Sequence, residues 1–267
     1  MPGGRAGFVN TAAVQDRSLT PPKLSTEMRK YSFCTFQGQG AYNKADGFSA
    51  PTGVAGDLNY GIIPCDIGGV LPIEWHVKGT QGLLAPTHSL TGLDISLDQT
   101  DNDGAEYYFG GNTTRGKHAF TIGGPAFFGR LKFKIADVSG TDDCAFGFAK
   151  VQTATANFDD HTDGAVLNVI LGDIKIETML NNAATGTVDT TQDWADAATH
   201  TLEVQVGQDR YTRFLIDDAF PTVNKTNFLW DVDDVVIPIL FFLQATTTPG
   251  IVELLEFECG YLPRRRA

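Results

Sequence analysis

The sequence predicts an all-β chain of two antiparallel sheets stacked as a sandwich, and three observations carry that expectation. Apolar residues recur with a period of two in many short segments. Clusters of Gly, Asn, Asp and Thr separate those segments at short intervals, as turns do. No stretch shows the spacing of an amphipathic helix, and 29 glycines in 267 residues suit a chain made of strands and turns.

The clearest pair of strands lies in AFFGRLKFKIADVSGTDDCAFGFAK, residues 126–150. Phe127, Leu131, Phe133 and Ile135 fall on one side of a pleated strand, with Gly129 in the same register, while Arg130, Lys132 and Lys134 fall on the other. One face is therefore buried and one is wet. After a turn over 137–143, Cys144, Phe146 and Phe148 alternate with Ala145, Gly147 and Ala149. The same grammar places strands near 92–97, 105–109, 117–122, 165–171, 173–180, 201–206, 211–216 and 251–261. Gly172 and the pair Asp217, Asp218 read as tight hairpin turns.

Residues 235–243, VVIPILFFL, are apolar on both faces. Such a strand is central and covered twice. We expect the covering to come from the N-terminal part of the chain, and Pro238, which has no N–H to donate, to mark a bulge or an edge.

The chain divides into four zones. Residues 1–30 contain Pro2, Gly3, Gly4, Gly7, Pro21 and Pro22 and few apolar side chains, too few to offset the entropy of ordering them alone. They are expected to be an extended arm lying on a neighbouring molecule. Residues 31–82 hold short strand candidates at 31–36, 61–65 and 72–77 around a long Gly-rich connection, and are expected to be a partly structured docking segment. Residues 83–263 are the regular sandwich, and 264–267 are a basic tail.

The net charge of -12 is unevenly placed. Arg5, Arg17, Lys23, Arg29 and Lys30 make the arm basic, and Arg264, Arg265 and Arg266 make the tail basic, so the body between them is more acidic than the whole. An acidic body argues against a nucleic-acid groove, which needs a cationic stripe. The basic ends fit tethers that dock on an acidic protein surface. No apolar run approaches the ~20 residues of a membrane-spanning helix. Cys34, Cys65, Cys144 and Cys259 show no close spacing of zinc-binding type, and MPGGRAGFVNTAAVQ lacks the pattern of an export signal. Reduced thiols made in a reducing cytoplasm are expected, with Cys144 and Cys259 packed inward.

The segments AFFGRLKFKIADVSGTDDCAFGFAKVQ, DGAVLNVILGDIKIETMLNNAATGTVDTTQDWADAATHTLEVQV, RFLIDD and PILFFLQATTTPGIVELLEFECGYL resemble the concanavalin A-like, or laminin-G-like, jelly roll found in structural proteins of tailed bacteriophages. That resemblance implies a jelly-roll sandwich in a non-enzymatic virion protein, one that decorates or cements the head on the capsid surface. Its partners would be the major capsid protein or copies of itself, and binding only to the assembled lattice would stabilise the shell by mass action. An alternative is a carbohydrate-binding module of a virion surface, and a third is an enzyme acting on polysaccharide.

Trp75, Trp194 and Trp230 would make a sugar platform if exposed, with Trp194 and Trp230 the candidate glycan contacts, although a large sandwich more often buries its tryptophans. Glu256 and Glu258 share a strand face as a carboxylate pair, but without the central Asp of the sandwich glycosidases, so a solvated face is expected. DNDGAE (101–106) lacks the register of a calcium loop and reads as a turn. NFDDHTDG (157–164) carries one His among carboxylates and reads as a solvated loop. No nucleophile elbow, phosphate cradle or catalytic triad is present, so no catalytic residue, metal or cofactor is expected.

Overall fold

The computed structural model describes residues 31–36, 58–64, 70–78, 86–95, 102–110, 118–153, 155–224, 227–245 and 252–262. In chain order the strands are β1 (Ser32–Thr35), β2 (Leu58–Pro64), β3 (Val70–Lys78), β4 (Thr87–His88), β5 (Leu93–Asp94), β6 (Gly104–Phe109), β7 (Phe120–Thr121) and β8 (Phe127–Ile135). They continue as β9 (Thr141–Lys150), β10 (Gly164–Ile170), β11 (Asp173–Met179), β12 (Gly186–Asp193), β13 (Thr199–Val206), β14 (Thr212–Ile216), β15 (Val235–Gln244) and β16 (Val252–Tyr261). The helical segments among the described residues are two 3₁₀ turns, Val138–Gly140 and Phe158–Asp160.

These strands form the expected two-sheet antiparallel sandwich. The smaller sheet runs β14-β13-β8-β16-β5-β4, with β1 also on β16, and the larger runs β12-β11-β10-β9-β15-β6-β3-β2, with β7 on β15. β14, β15 and β16 alternate between the sheets, and β15 and β16 each return to an interior position, which is the crossing that defines a jelly roll.

The inward residues of both sheets make one aromatic core. Phe127, Leu131, Phe133 and Ile135 from β8 face Cys144, Phe146 and Phe148 from β9, all buried, as the alternation predicts. Phe109 of the larger sheet stacks on Phe257 of the smaller with ring centroids 4.4 Å apart. Gly129 is small because Phe148 lies across it: a Cβ there would come within 3.1 Å of that ring. The turn between β8 and β9 closes through Asp137, whose carboxylate accepts from the Ser139 N–H and hydroxyl.

β15 is the central strand, paired with β9 on one edge and with β7 and then β6 on the other. Its Val236, Leu240 and Phe242 enter the main core, while Ile237, Ile239, Phe241 and Leu243 join a second apolar cluster on the outer face of the larger sheet. Phe158 packs into that cluster from the segment between β9 and β10, and Lys78 of β3 lies over the Phe241 ring, so among the described residues this loop and the N-terminal zone both contribute cover. Pro238 sits inside the strand without a bulge. The Val235 carbonyl accepts from Val151 beyond β9, so even-numbered residues point the other way, and Pro238 falls in the gap where β7 pairing ends at Val236 and β6 pairing begins at Ile239. Its missing N–H has no ladder partner to disappoint.

The boundary expected at residue 83 does not separate the described strands. β1 pairs with the C-terminal half of β16, and β3 pairs with β6 and carries β2 at the sheet edge. Both β16 and β6 would otherwise present a row of unpaired backbone groups, and strands from 31–82 satisfy them. The arm, residues 1–30, lies outside the described residues. Cys144 and Cys259 are buried thiols, as expected, but Cys34 is disulfide-bonded, which corrects the expectation of four reduced thiols. Spacing along the chain gave no sign of it, because β1 reaches its place in the sheet only by folding.

β9 and β10 approach closely at Gly147, where a Cβ would stand 2.2 Å from the Ala165 carbonyl oxygen. Gly147→Ala should therefore cost about 1–3 kcal/mol of unfolding free energy, read as a lower urea midpoint. An unchanged midpoint would show that the strands separate there freely.

Candidate functional site

The edge of the smaller sheet is shaped by two turns. β13 buries Leu202, Val204 and Val206, and the chain then reverses through Gly207 and Arg210, the latter at φ 68°. In this loop Asp209 accepts from the Tyr211 N–H at 3.2 Å and pairs with Arg213 at 3.3 Å. At the far end of β14, Asp217 and Asp218 both adopt positive φ and the Ile216 N–H bonds the Ala219 carbonyl, as the sequence predicts for a tight turn. The returning chain lays Phe220, Pro221 and Asn224 beside β14, and residues 228–230 run along Arg210–Thr212 through backbone hydrogen bonds.

Between these segments lies a groove of about 510 Å³ lined by Asp209, Tyr211, Thr212, Arg213, Phe220, Pro221 and Asn224. Two of its aromatic side chains stay in solvent, Tyr211 at 39% and Phe220 at 60% exposure. Its floor is fixed from below, because the buried Trp230 indole N–H donates to the Thr212 hydroxyl at 2.8 Å. The Asn224 side-chain oxygen is buried and accepts no hydrogen bond among the described residues. Exposed rings beside a carboxylate and a guanidinium suit a ligand with one apolar face and several hydroxyls.

The tryptophans expected in this role lie inside the sandwich. Trp194 and Trp230 are 2% and 0% exposed and cannot be glycan contacts on the folded protein. Trp194 packs against Phe133 with ring centroids 4.5 Å apart and donates to the Ala198 carbonyl, while Trp230 supports the groove without reaching it. Trp75 is likewise buried. Arg5, Arg17, Lys23, Arg29, Lys30, Arg264, Arg265 and Arg266 lie outside the described residues.

The glutamates of β16 sit on the outward face of the smaller sheet. A register shift at Leu255 absorbs the doubled leucine, so Glu253, Glu256 and Glu258 all face outward against Lys134, Lys132 and Arg130 of β8. Glu256 pairs with Lys132 at 3.0 Å, and Glu258 accepts from the Tyr31 hydroxyl. This is a cross-strand charge ladder of the kind expected for a solvated face.

Two motifs that looked unremarkable alone meet on the outer face of the larger sheet. Glu106 of DNDGAE is fully buried, and its carboxylate accepts from Lys78, Tyr108, the Thr155 N–H and His161 of NFDDHTDG. His161 is therefore a buried partner and not the solvated residue expected, because the loop that carries it folds back over β6. Burial opposes ionisation of Glu106, but the hydrogen bond and charge of His161, with Lys78 and Tyr108, overcome it and hold the pKa down at about 2. Every acceptor site is filled, so this cluster reads as a latch for the 151–163 loop. Nearby, Asn168 bridges Asp143 at 2.6 Å and Glu177 at 2.8 Å. Burial pushes Asp143 up to about 7, with the charges of Glu177, Asp142 and Asp159 adding to the effect and the Asn168 hydrogen bond opposing it. Among the described residues no three His, Cys, Asp or Glu side chains are placed to hold a metal ion.

No family model and no curated protein matches this sequence. Solved structures of similar shape include a variant of the Emp46p carbohydrate recognition domain, at TM-score 0.49 and 10% identity over 70% of this chain and 87% of that one. A protein of unknown function from Shewanella oneidensis MR-1 aligns at TM-score 0.46 and 14% identity over 93% and 98%. An endo-β-1,4-glucuronan lyase from the fungus Trichoderma reesei aligns at 0.44 and 13% over 86% and 94%.

Two outcomes are expected on the outer face. Glu106→Gln should cost about 3 kcal/mol, because it leaves Lys78 buried without a counter-charge, and chemical unfolding reads this directly. The wild-type contribution of Glu106 is present above its ordinary value of 4.5 and is lost as pH falls towards about 2. Asp143 has the opposite sign: its raised pKa favours the fold below 3.8, and that contribution is lost as pH rises through about 7. Asp143→Asn should therefore flatten the melting temperature across this window and raise it at alkaline pH. A variant that tracks wild type throughout would show that Asp143 is not strained.

Proposed function

We propose that this protein is a glycan-binding β-sandwich and that the groove beside β14 is its saccharide site. The observation that carries the reading is the pair of exposed rings, Tyr211 and Phe220, lining the same cavity as Asp209, Arg213 and Asn224. Rings left in water at a concave site gain contact area when the C–H face of a sugar stacks on them. The cavity is of a size that suits small ligands. Binding without turnover fits the site better than hydrolysis, since Asp209 is the single carboxylate lining the groove among the described residues and glycoside hydrolysis employs two. Placement on a virion, with a head shell or copies of this chain as partner, remains a proposal carried by residues 1–30 and 264–267.

Replacing both rings, Tyr211→Ala with Phe220→Ala, should weaken saccharide binding by about tenfold or more while leaving the melting temperature near wild type, since each ring already sits in solvent. Calorimetric titration with oligosaccharides that bind the wild type reads the effect. Unchanged affinity in the double variant would move the site elsewhere.

A further inference from the structure

We propose that Asp143 is a pH-responsive catch for the loop between β9 and β10: its protonated carboxyl lets the Phe158–Asp160 turn lie closed on the outer face of the larger sheet, and its ionisation drives that turn off. The device sits on the other sheet from the groove and does not depend on what the groove binds.

The catch is a polar row across three strands. The Asn168 side-chain nitrogen on β10 donates to Asp143 of β9 at 2.6 Å and to Glu177 of β11 at 2.8 Å, while its oxygen accepts from the Cys144 N–H. A neutral amide thus joins two carboxyls and brings them no positive charge. Among the described residues no cation pairs with either one: Lys175, which acts on Glu177, pairs with Asp173 at 3.7 Å. Burial, helped by the charges of Glu177, Asp142 and Asp159, keeps the Asp143 carboxyl protonated up to about pH 7.

The turn rests beside this row. Ala145 opposes Asn168 and Val166 opposes Glu177 in the strand register, and Phe158 packs in one cluster with Ala145 and Val166. Asp159, the next residue, is exposed, and its charge acts on both Asp143 and Glu177. An ionised Asp143 therefore repels the residue that follows the inserted ring. Other charges of the loop have partners of their own. Asp160 accepts from the Asn157 N–H, Asp163 pairs with Lys150 at 3.5 Å, and His161 bonds Glu106 together with Lys78 and Tyr108. Asp143 holds its proton more tightly with the turn closed than open, so closure is favoured at acid pH and weakens as pH rises through about 7.

Hydrogen exchange of the full-length protein, corrected for intrinsic rates, reads this opening residue by residue. Protection of 155–163 should fall by about tenfold or more between about pH 5 and about pH 8, with the β8 amides remaining the slower to exchange at both. Asp143→Asn, uncharged throughout, should hold the loop's protection level over that range. Asp159→Asn, at an exposed position, should reduce the fall by at least about twofold. A wild-type loop equally protected at both pH values overturns the proposal. A fall that survives in Asp143→Asn also overturns it and assigns the titration to another group of the loop, His161 first. A loop that exchanges at one rate with β8 does the same, because it then opens only when the whole sandwich unfolds.

Discussion

β15 is apolar on both faces, and most of the architecture answers the need to cover it twice. The smaller sheet covers one face through the aromatic core, with the Phe109–Phe257 stack spanning the two layers. The loop between β9 and β10 contributes to covering the other by inserting Phe158 against Phe241. Holding that loop down needs an anchor strong enough to offset the entropy of ordering it, and the buried Glu106 with its four donors supplies it. The charged network on the outer face is thus a consequence of the hydrophobic strand beneath it.

Much of this was legible in the chain, for a local reason. Alternation in β8 and β9 is written in consecutive residues, so the inward set of Phe127, Leu131, Phe133, Phe146 and Phe148 could be read directly. The double-sided character of β15 was equally plain, as were the turns at Gly172 and at Asp217 and Asp218. The meeting of Glu106 with His161 was not legible, because the residues lie 55 positions apart and the encounter depends on which strand a loop folds across. The strands of 31–82 were recognised, but their membership of the sheets was not, since pairing partners are set by which edges the rest of the fold leaves open.

The groove was hidden for a different reason. Tyr211 stands just before β14 and Phe220 follows a turn, so each reads as ordinary sandwich chemistry. What exposes Phe220 is the pair of left-handed residues before it, which swing the chain clear of the core. A large aromatic immediately beyond a tight Asp-Asp turn, out of phase with the buried set of β14, was the available signal. Tryptophan drew attention instead because it is the strongest sugar-stacking side chain, yet in a sandwich this thick its size is more useful inside.

The hydrogen bond between Trp230 and Thr212 gives the groove a built-in optical probe. An indole buried directly beneath the floor will change its emission when the hydroxyl above it is repolarised by an occupant. Trp75 and Trp194 are sealed among other core rings and contribute a steady background. Intrinsic fluorescence of the unlabelled molecule can therefore report occupancy of this cavity.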